Sequence, residues 1–266
     1  MINNLFSLVN KLSLVTGAGG YLGNMITLSL AEQGSSIILV DNSGKEKILN
    51  EKVQELKKKF KNQNFFSFTC NFSKIKNRKD LIKKLKKFNK IDILINNAAF
   101  TGSDKTSGYV EKFEHQSIEA WNYCLEVSLS AIFDLVKNLL PKLKKSKSAS
   151  IINISSIYGV YGPDWSIYKN TKMANPAAYA AAKAGLIQFT KWLSKTVGPN
   201  IRANSISPGG IFRNQPKNFV NAYSNKTSLK RMAKEEDFIG IIILLASNAS
   251  SYITGQNIIV DGGWGS

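Results

Sequence analysis

Short apolar runs alternate along the chain with amphipathic stretches whose apolar residues recur every three or four positions. Runs such as "IDILIN" and "IINIS" are apolar almost throughout, which is typical of parallel strands covered on both faces. The runs predict strands at Leu12–Thr16, Ser36–Asp41, Phe65–Cys70, Ile91–Asn96, Ser150–Ser155, Arg202–Ser207 and Asn257–Asp261. The intervening stretches predict helices that begin near Gly20, Lys45, Lys76, Ser117, Ala178 and Glu235.

Strands that alternate with helices predict an α/β fold, with seven strands in a doubly wound parallel sheet and helices on both faces. At 266 residues, and with no linker-like stretch or repeat, the chain is expected to form a single domain over residues 1–266. Two segments that follow strands, 159–177 and 208–232, are too long for tight connections. Because ligands of such sheets bind beyond the carboxyl ends of the strands, we expect these segments to form the lid and walls of a substrate pocket.

A glycine turn lies between the first strand and the first helix, in "LVTGAGGYLGNMI". Glycines at 17, 20 and 23 permit a tight turn, and they let backbone N–H groups at a helix N-terminus approach a pyrophosphate. The second strand ends at Asp41, where a carboxylate can bind the 2′-hydroxyl of the NAD ribose and repel the 2′-phosphate of NADP. No Lys or Arg lies in the turn or directly after Asp41. The sequence therefore predicts a Rossmann-type domain and favours NAD over NADP.

Seven pieces of the sequence, in their order along the chain, resemble the short-chain dehydrogenase/reductase family. They are "TGAGGYLG", "ILVD", "NNAA", "IINISS", "YAAAK", "NSISPGG" and "YITGQNIIVDGG". The glycine spacing is more similar to the family's sugar-nucleotide branch, whereas the length and the other motifs fit the single-domain branch. The resemblance implies an NAD-dependent oxidoreductase that interconverts a secondary alcohol and a ketone by hydride transfer.

The resemblance also implies which residues carry the chemistry. Tyr179 would exchange the proton of the alcohol, Ser156 would hydrogen-bond the substrate oxygen, and Lys183 would bind the nicotinamide ribose. A free phenol, with a pKa near 10, is a poor base, and a nearby ammonium is expected to lower that pKa by ~2–3 units. Ser128 stands where the family usually has a catalytic Asn that holds a water molecule, and we expect it to serve in that place. Ser155 is the alternative to Ser156.

A second Tyr-x-x-x-Lys pair occurs in "YKNTK", at Tyr168 and Lys172. Pro176 suits the first turn of a helix and would break one that ran through from Tyr168. The helical pattern after Pro176 continues for about six turns, and it places Tyr179 and Lys183 on one face. We therefore choose the later pair as catalytic, and we expect Tyr168 to lie in an exposed turn or in the pocket wall.

The cofactor site implied by the resemblance combines several strand ends with the turns that follow them. Its predicted residues are Gly17, Gly20, Tyr21, Leu22, Gly23, Asp41, Asn71, Phe72, Asn96, Ala98, Tyr179, Lys183, Pro208, Gly209 and Ile211. Asn71 stands where the family often has an Asp near the adenine. Ile211, after "PGG", is expected near the nicotinamide carboxamide.

The charge of the chain bears on its partners. The formal net charge is +18, yet 32 of the 36 basic residues are lysine and only four are arginine. Bidentate recognition of bases and phosphates prefers Arg. The lysines crowd two helical stretches, so we expect a solvated face and no nucleic-acid partner; attraction of an anionic substrate is the alternative.

The sequence has no apolar run of 18 residues and no basic region ahead of an apolar stretch, which predicts a cytoplasmic protein without a membrane partner.

The composition makes several other chemistries improbable. His115 is the only histidine, which argues against a Ser-His-Asp hydrolase and against a His-based zinc site, and no metal is expected. His115 itself is expected at the surface. The two cysteines, Cys70 and Cys124, make no disulfide framework and are expected to pack as small apolar groups.

The segment from Gly159 to Ala177 resembles oxidoreductases of bacterial surface-polysaccharide and flagellin-glycan sugars, which implies a sugar or sugar-phosphate as the small-molecule substrate. Four basic residues of the long segments would suit an anionic ligand or would simply be solvated: Lys169, Lys172, Arg213 and Lys217. One alternative is a 3-oxoacyl thioester reductase, whose acidic carrier could use the basic surface. Another is a catalytically silent NAD-binding scaffold. The resemblance further implies a homodimer or homotetramer built on the helices near Ser117 and Ala178 and on the last strand.

Overall fold

The computed structural model describes residues 2–100, 102 and 106–266. Seven strands form one parallel sheet in the order β3-β2-β1-β4-β5-β6-β7. The strands are β1 (Leu12–Thr16), β2 (Ser36–Asp41), β3 (Phe65–Thr69), β4 (Ile93–Asn96), β5 (Ala149–Ile154), β6 (Ile201–Pro208) and β7 (Asn257–Val260). The strand order reverses between β1 and β4, which is the predicted doubly wound topology.

Helices cover both faces of the sheet. They are α1 (Ile2–Leu5), α2 (Tyr21–Glu32), α3 (Glu46–Lys59), α4 (Ile75–Leu85), α5 (Ile118–Leu125), α6 (Ala131–Leu143), α7 (Ala177–Val197), α8 (Lys217–Lys226) and α9 (Ile239–Ala246). A π-turn, Glu126–Ser130, joins α5 to α6, and short 3₁₀ turns include Ser43–Lys45, Ile157–Gly159, Trp165–Tyr168 and Glu235–Phe238. The architecture is the single-domain, Rossmann-type fold that the sequence predicted.

Two apolar cores, one on each face of the sheet, explain why the strand sequences read as continuous apolar runs. Successive residues of a strand point to opposite faces, so neighbours in β5 belong to different cores. Ile152 and Ile154 pack into one core with α2 and α9, and Ala149 and Ile151 pack into the other with α4, α6 and α7. Every residue of β5 is buried, as in β4 and β6.

The predicted elements agree with the structure most closely in the first half of the chain. β1 and β2 have the predicted bounds, and the other strands differ by one or two residues at an end. The helix predicted near Glu235 begins with a 3₁₀ turn before α9, and the helix predicted near Ser117 is divided by the π-turn. The helix α8 was not predicted; it lies inside the segment 208–232, which was expected only as lid and wall.

The carboxyl ends of the strands position the candidate site. β1 leads into the glycine turn, β2 ends at Asp41, β4 at Asn96, and Ser155 directly follows β5. Asn96 of β4 pairs with Asn153 of β5 in the parallel ladder. These four strand ends therefore converge on one edge of the sheet, which we call the carboxyl edge.

Candidate active site

The glycine turn is a backbone cradle that leaves no room for side chains. Gly17 has a φ of +67°, and a Cβ on it would lie 2.8 Å from Asn97 Nδ2, which itself donates to the Thr16 and Gly17 carbonyls. A Cβ on Gly23 would overlap the Gly17 carbonyl oxygen. Gly20 caps α2 without a side-chain hydrogen bond, so the N-terminus of this helix keeps its orphan N–H groups. Such a cradle fits a pyrophosphate.

Asp41 lies directly beside this turn. Its Oδ2 accepts the Gly19 N–H at 2.8 Å and its Oδ1 accepts the Asn42 N–H at 2.7 Å. The 3₁₀ turn that follows folds Lys45 back toward the same place, because a Cβ on Gly19 would lie 3.4 Å from the Lys45 Cβ. Lys45 was not among the predicted residues because it does not directly follow Asp41 in the sequence. The turn therefore carries both a carboxylate and a cation in its neighbourhood.

Asn96 begins a chain of buried hydrogen bonds. Its Nδ2 donates to Asn153 Oδ1 at 2.8 Å, and Asn153 Nδ2 donates to Thr190 Oγ1 at 2.8 Å. The Asn96 Oδ1 is buried and finds no partner among the residues that the structure describes. Next along the chain, the Ala98 N–H donates to Thr16 Oγ1 at 3.0 Å. An unsatisfied acceptor at the carboxyl edge fits a ribose hydroxyl, so the residues present suit a dinucleotide.

Asn71 and Phe72 are less available to a ligand than predicted. The Asn71 Oδ1 accepts from both the backbone and the hydroxyl of Ser73, at 3.0 and 2.7 Å. The Phe72 side chain packs in the core, and its carbonyl accepts from Arg78 Nη1 at 2.5 Å. A cofactor contact by Phe72 would thus have to use its backbone N–H. The sequence analysis missed Arg78, which is 5% exposed although its neighbours on α4 are largely solvated.

Arg78 ties three parts of the molecule together. Besides the Phe72 carbonyl, it bonds Glu126 Oε1 through Nη1 at 2.6 Å and Asp134 Oδ2 through Nε at 2.7 Å. Glu126 is the first residue of the π-turn, and Asp134 lies in the first turn of α6. Arg78 therefore connects the turn after β3 with the helical segment that carries Ser128.

The two serines after β5 have separate partners. Ser155 Oγ donates to the Lys183 carbonyl at 2.9 Å and so fastens the end of β5 to α7. Ser156 caps the following 3₁₀ turn, where its Oγ accepts the Tyr158 N–H at 3.2 Å. A Cβ on Gly159 would lie 2.7 Å from the Lys183 carbonyl carbon, so this turn packs directly on the α7 backbone. Of the two serines, Ser156 keeps its hydroxyl hydrogen for the site.

The helix α7 presents the predicted tyrosine and lysine on one face. Lys183 is 2% exposed, its Nζ donates to the Ile154 carbonyl at 2.7 Å, and the same Nζ lies 5.6 Å from the centre of the Tyr179 ring. The competing pair has no such arrangement: Tyr168 ends a 3₁₀ turn, and Lys172 is exposed in the loop beyond it. The structure therefore brings Ser156, Tyr179 and Lys183 together at the carboxyl edge.

Burial dominates the titration of this trio. It raises the pKa of Tyr179, while interaction with the Ser156 hydroxyl lowers that pKa in part. Burial also lowers the pKa of Lys183 from 10.5 to about 8. The sequence led us to expect that the ammonium of Lys183 would lower the pKa of Tyr179. In the protein without cofactor or substrate, burial has the larger effect and raises that pKa. The opposing influence on Tyr179 comes from Ser156, and the resting phenol is neutral.

Ser128 lies in the middle of the π-turn and is fully buried. Its Oγ accepts the Phe100 N–H at 3.0 Å, so its hydroxyl hydrogen is left for another acceptor. Leu129, next in the turn, lies against α7, because a Cβ on Gly185 would lie 2.8 Å from Leu129 Cδ2. π-turns within helices are frequent at functional sites, and this one brings Ser128 toward the helix of Tyr179 and Lys183.

The segments 159–177 and 208–232 pack against each other. Tyr168 of the first lies against Phe219 of α8, with ring centroids 5.5 Å apart. Asp164 of the first forms an ion pair with Lys226 at the end of α8. The C-terminal residues join them, since Trp264 stacks on Tyr223 with centroids 4.4 Å apart. The two segments and the tail thus form one wall above the carboxyl edge.

The base of the second segment is closed by backbone and side-chain contacts. Pro208 and Gly209 pair with β7, and Ile211 forms an isolated β-bridge with Ala233. Arg213 forms an ion pair with Glu235. The Arg213 guanidinium also lies over the ring of Tyr21, 4.6 Å from its centre, at the first residue of α2.

The remaining residues singled out in the sequence are one histidine and two cysteines. His115 is exposed, and Cys70 and Cys124 are buried free thiols, as predicted. Among the residues that the structure describes, no group of His, Cys, Asp and Glu could hold a metal ion. In the same part of the chain, no helix is long and apolar enough to cross a bilayer.

Comparison with known proteins identifies the class. The family profile described as enoyl-(acyl carrier protein) reductase matches residues 17–265. A 3-oxoacyl-(acyl-carrier-protein) reductase of Thermotoga maritima is 33% identical, with 96% of this chain and 98% of the relative covered. The post-translational flagellin modification protein A of Campylobacter coli is also 33% identical, over 97% of this chain and 99% of its own length.

Solved structures agree with this class. A short-chain dehydrogenase of Leptospira borgpetersenii with bound NAD⁺ is 32% identical, with a TM-score of 0.80 over 99% of this chain and 95% of that one. The NADPH-dependent 3-quinuclidinone reductase of Rhodotorula rubra is 25% identical, with a TM-score of 0.85 over 100% of this chain and 95% of that one. The chain belongs to the short-chain dehydrogenase/reductase family, whose members are oxidoreductases that use a nicotinamide cofactor.

Proposed function

We propose that the protein is an NAD-dependent oxidoreductase that interconverts a secondary alcohol and a ketone on a sugar or sugar-phosphate. The observation that carries the proposal is the convergence of Ser156, Tyr179 and Lys183 beside a cradle suited to a dinucleotide. The similarity of the chain to a flagellin modification protein supports a glycan-related substrate.

The chain's own residues would handle the proton and the substrate oxygen. The bound nicotinamide supplies the hydride acceptor in oxidation and the hydride donor in reduction. In reduction, the neutral Tyr179 phenol donates its proton to the substrate oxygen, which Ser156 holds by a hydrogen bond. In oxidation, the phenolate form of Tyr179, stabilised by the charged form of Lys183, takes that proton and becomes the neutral phenol again. Lys183 would reach the ribose hydroxyls by giving up its bond to the Ile154 carbonyl.

The preference for NAD rests on Asp41. Its carboxylate is held against the glycine turn by the Gly19 N–H, where it would repel a 2′-phosphate. Lys45 lies beside the same glycine and would favour that phosphate. We propose NAD because a fixed carboxylate hydrogen-bonds a ribose hydroxyl directly, whereas a lysine ammonium is a mobile and strongly hydrated charge.

A 3-oxoacyl thioester reductase is the second candidate, and the Thermotoga relative favours it. The basic surface, with its net charge of +18, would attract an acidic carrier protein. The aromatic and hydroxyl-rich wall of the substrate side favours the sugar, since an acyl chain offers those hydroxyls no hydrogen-bond partner.

The test is a turnover assay with NAD⁺ and NADP⁺ across sugars, polyols and their oxo forms, with an acetoacetyl thioester as the competing substrate. Tyr179→Phe is expected to reduce turnover by about 10³-fold while NAD⁺ affinity stays within a factor of about two, because only the proton transfer is removed. Tyr252→Phe, at a fully exposed tyrosine, is the matched control. Turnover that survives in Tyr179→Phe and disappears in Tyr168→Phe would reverse the choice of tyrosine.

The same assay addresses a silent scaffold, the candidate from another class. A protein that binds NAD⁺ tightly, yet turns over no alcohol, ketone or thioester, would be such a scaffold. The Ser156, Tyr179 and Lys183 cluster argues for an active enzyme, since a scaffold has no need to bury a lysine.

We also propose a homodimer or homotetramer. Three large apolar side chains are exposed on the helices that follow β4 and β5: Ile118 at 63%, Phe133 at 49% and Trp192 at 57%. Exposed apolar patches of this kind mark interfaces between chains. Light scattering should give the mass of a dimer or tetramer, and Trp192→Glu should shift it toward the monomer. A monomeric wild type would refute this proposal.

A further inference from the structure

The tyrosine of the unused Tyr-x-x-x-Lys pair has a specific partner near the predicted catalytic residues. The hydroxyls of Tyr158 and Tyr168 hydrogen-bond to each other. Tyr158 stands two residues after Ser156, and its N–H donates to Ser156 Oγ at 3.2 Å. Both phenols also lie close enough to Tyr179 for its charge to raise their pKa. The pair therefore sits beside the place where the substrate oxygen would lie.

The hydrogen-bonding capacity of the pair is small and well defined. One hydroxyl hydrogen is used between the two phenols, which leaves one donor and the remaining lone pairs. Burial raises the pKa of Tyr168 to about 12 and raises that of Tyr158 as well, so both stay neutral at working pH. A neutral donor next to a neutral acceptor complements an alcohol hydroxyl, which is itself one donor and one acceptor.

Two cations of this wall, Arg213 and Lys226, are already paired within the protein and are not free to bind an anion. Arg213 pairs with Glu235 and lies over Tyr21, and Lys226 pairs with Asp164. An acyl chain would suit the wall no better. It would leave the free phenol hydrogen of the pair without an acceptor, and leaving a buried polar group unsatisfied costs about 1–3 kcal/mol.

Aromatic faces extend the wall away from the phenol pair. Tyr168 lies against Phe219, Phe219 against Tyr223 with centroids 6.0 Å apart, and Tyr223 stacks on Trp264. A row of rings with a few polar groups is the lining expected for a compact ring-shaped ligand. Phe219 and Tyr223 are buried within this row, so the partly exposed rings of Tyr168 and Trp264 would receive the C–H faces of such a ligand while its hydroxyls reach the phenols.

We infer that the Tyr158–Tyr168 pair binds a second hydroxyl of the substrate, next to the reacting carbinol, and so selects polyhydroxylated ring compounds. The inference rests on the proposed oxidoreductase function and specifies its substrate class. Tyr158 and Tyr168 are thus specificity-determining residues, and neither takes the proton of the reaction.

The experiment compares cyclohexanol with trans-cyclohexane-1,2-diol, which differ by one neighbouring hydroxyl. Dissociation constants are measured for the NAD⁺-bound protein by the fluorescence of Trp264 and its neighbours, and kcat/KM is measured for whichever probe turns over. The wild type should favour the diol by about 10-fold or more, since a lost hydrogen bond is worth about 1–3 kcal/mol. Tyr158→Phe and Tyr168→Phe should each remove most of that preference, and the double variant should remove little more.

Controls separate recognition from damage to the pocket. Tyr252→Phe should keep the preference for the diol. An equal loss of affinity for both probes in Tyr158→Phe would indicate a structural role and overturn the inference. Equal binding of the two probes by the wild type would also overturn it. So would a Tyr158→Phe or Tyr168→Phe variant that binds an acetoacetyl thioester more tightly than the wild type does. A wild type that binds the diol selectively but oxidises neither probe nor any other alcohol would contradict the proposed function and leave this inference standing.

Discussion

The two sides of the carboxyl edge are built on different principles. On the proposed cofactor side, at the ends of β1, β2 and β4, the main contacts involve the backbone: the glycine turn, the Gly19 N–H that donates to Asp41, and the Ala98 N–H that donates to the Thr16 hydroxyl oxygen. On the substrate side, formed by 159–177, 208–232 and the tail, side chains meet side chains across long separations.

This difference predicts how each side responds to change. A site built from backbone groups has no room for a side chain at a few positions. At its other positions, a change of side chain should have little effect on binding. A wall of interlocking side chains accepts new residues and changes its selectivity with each of them. One side should therefore fail abruptly when mutated, and the other gradually.

The largest effect is expected from Gly23→Ala. The added methyl would overlap the Gly17 carbonyl, so the turn must open and the affinity for NAD⁺ should fall by about 100-fold or more, with loss of folding stability. Gly162→Ala, on the substrate side, is the matched control because no atom lies within 4 Å of its added Cβ. Calorimetric titration and thermal melting measure both. Equal NAD⁺ affinity and equal stability of the two variants would contradict the proposed difference between the two sides.

The next effect concerns Lys183, where the two sides meet. Its folded-state pKa of about 8 lies below its ordinary value of 10.5, so its charge opposes folding. That cost is fully present below pH 8 and disappears as the pH rises toward 10.5. Lys183→Met should abolish turnover yet raise the free energy of unfolding at pH 7 by about 1–2 kcal/mol, after the lost bond to the Ile154 carbonyl is allowed for.

Chemical denaturation between pH 7 and pH 10.5 checks this prediction. The gain of the variant over the wild type should shrink across that interval. A gain that does not depend on pH would mean that better packing, and not removal of a buried charge, is responsible. Lys172→Met, at an exposed lysine, should show no gain at any pH.

A smaller effect should come from Asp41 and Lys45. Asp41→Ser should shift the preference toward NADP⁺ by about 10–100-fold, because the carboxylate that repels the 2′-phosphate is gone. Lys45→Ala in that background should cancel most of the shift. Ratios of kcat/KM for the two cofactors measure it. No shift in Asp41→Ser would show that the carboxylate serves only the glycine turn.

The smallest effect is expected from Asp164→Asn. Asn keeps the Oδ1 acceptor for Ser166 but loses the charge that pairs with Lys226. A partly exposed ion pair contributes at most about 1 kcal/mol, so KM for the substrate should rise by no more than about 5-fold, without a change in NAD⁺ affinity. Lys226→Gln should reproduce the change, and the double variant should add nothing. A larger loss for the cofactor than for the substrate would contradict the division into two sides.

The cofactor side was largely predictable from sequence because the residues that form it are close together along the chain. The glycine turn follows its strand directly, and β1 and β2 have their predicted bounds. The family and the fold are confirmed, whereas the roles of the site residues, the choice of NAD and the sugar substrate stay predictions. Lys45 escaped notice because only a 3₁₀ turn brings it beside Gly19.

The substrate side was only outlined from sequence. Its two segments were recognised by their length. The hydrogen bond between Tyr158 and Tyr168 was not predicted, because the two residues are ten positions apart and neither helical nor strand periodicity places them side by side. The π-turn at Ser128 was missed because its residues continue the helical pattern without a break. The burial of Arg78 was missed because its partners, Glu126 and Asp134, come from distant helices. Such contacts depend on how elements pack, which local pattern does not determine.

The hydroxyl of Ser155, bonded to the carbonyl of Lys183, gives Ser155 a structural role directly beside Ser156, for which we propose a role in the reaction. In a saturation screen for activity, alanine at Ser155 and at Ser156 would both score as deleterious. Their signatures would separate under heating: loss at Ser155 should be recovered by stabilising mutations elsewhere in the chain, while loss at Ser156 should not. A suppressor search would thus distinguish the anchor from the reactive neighbour without a structure.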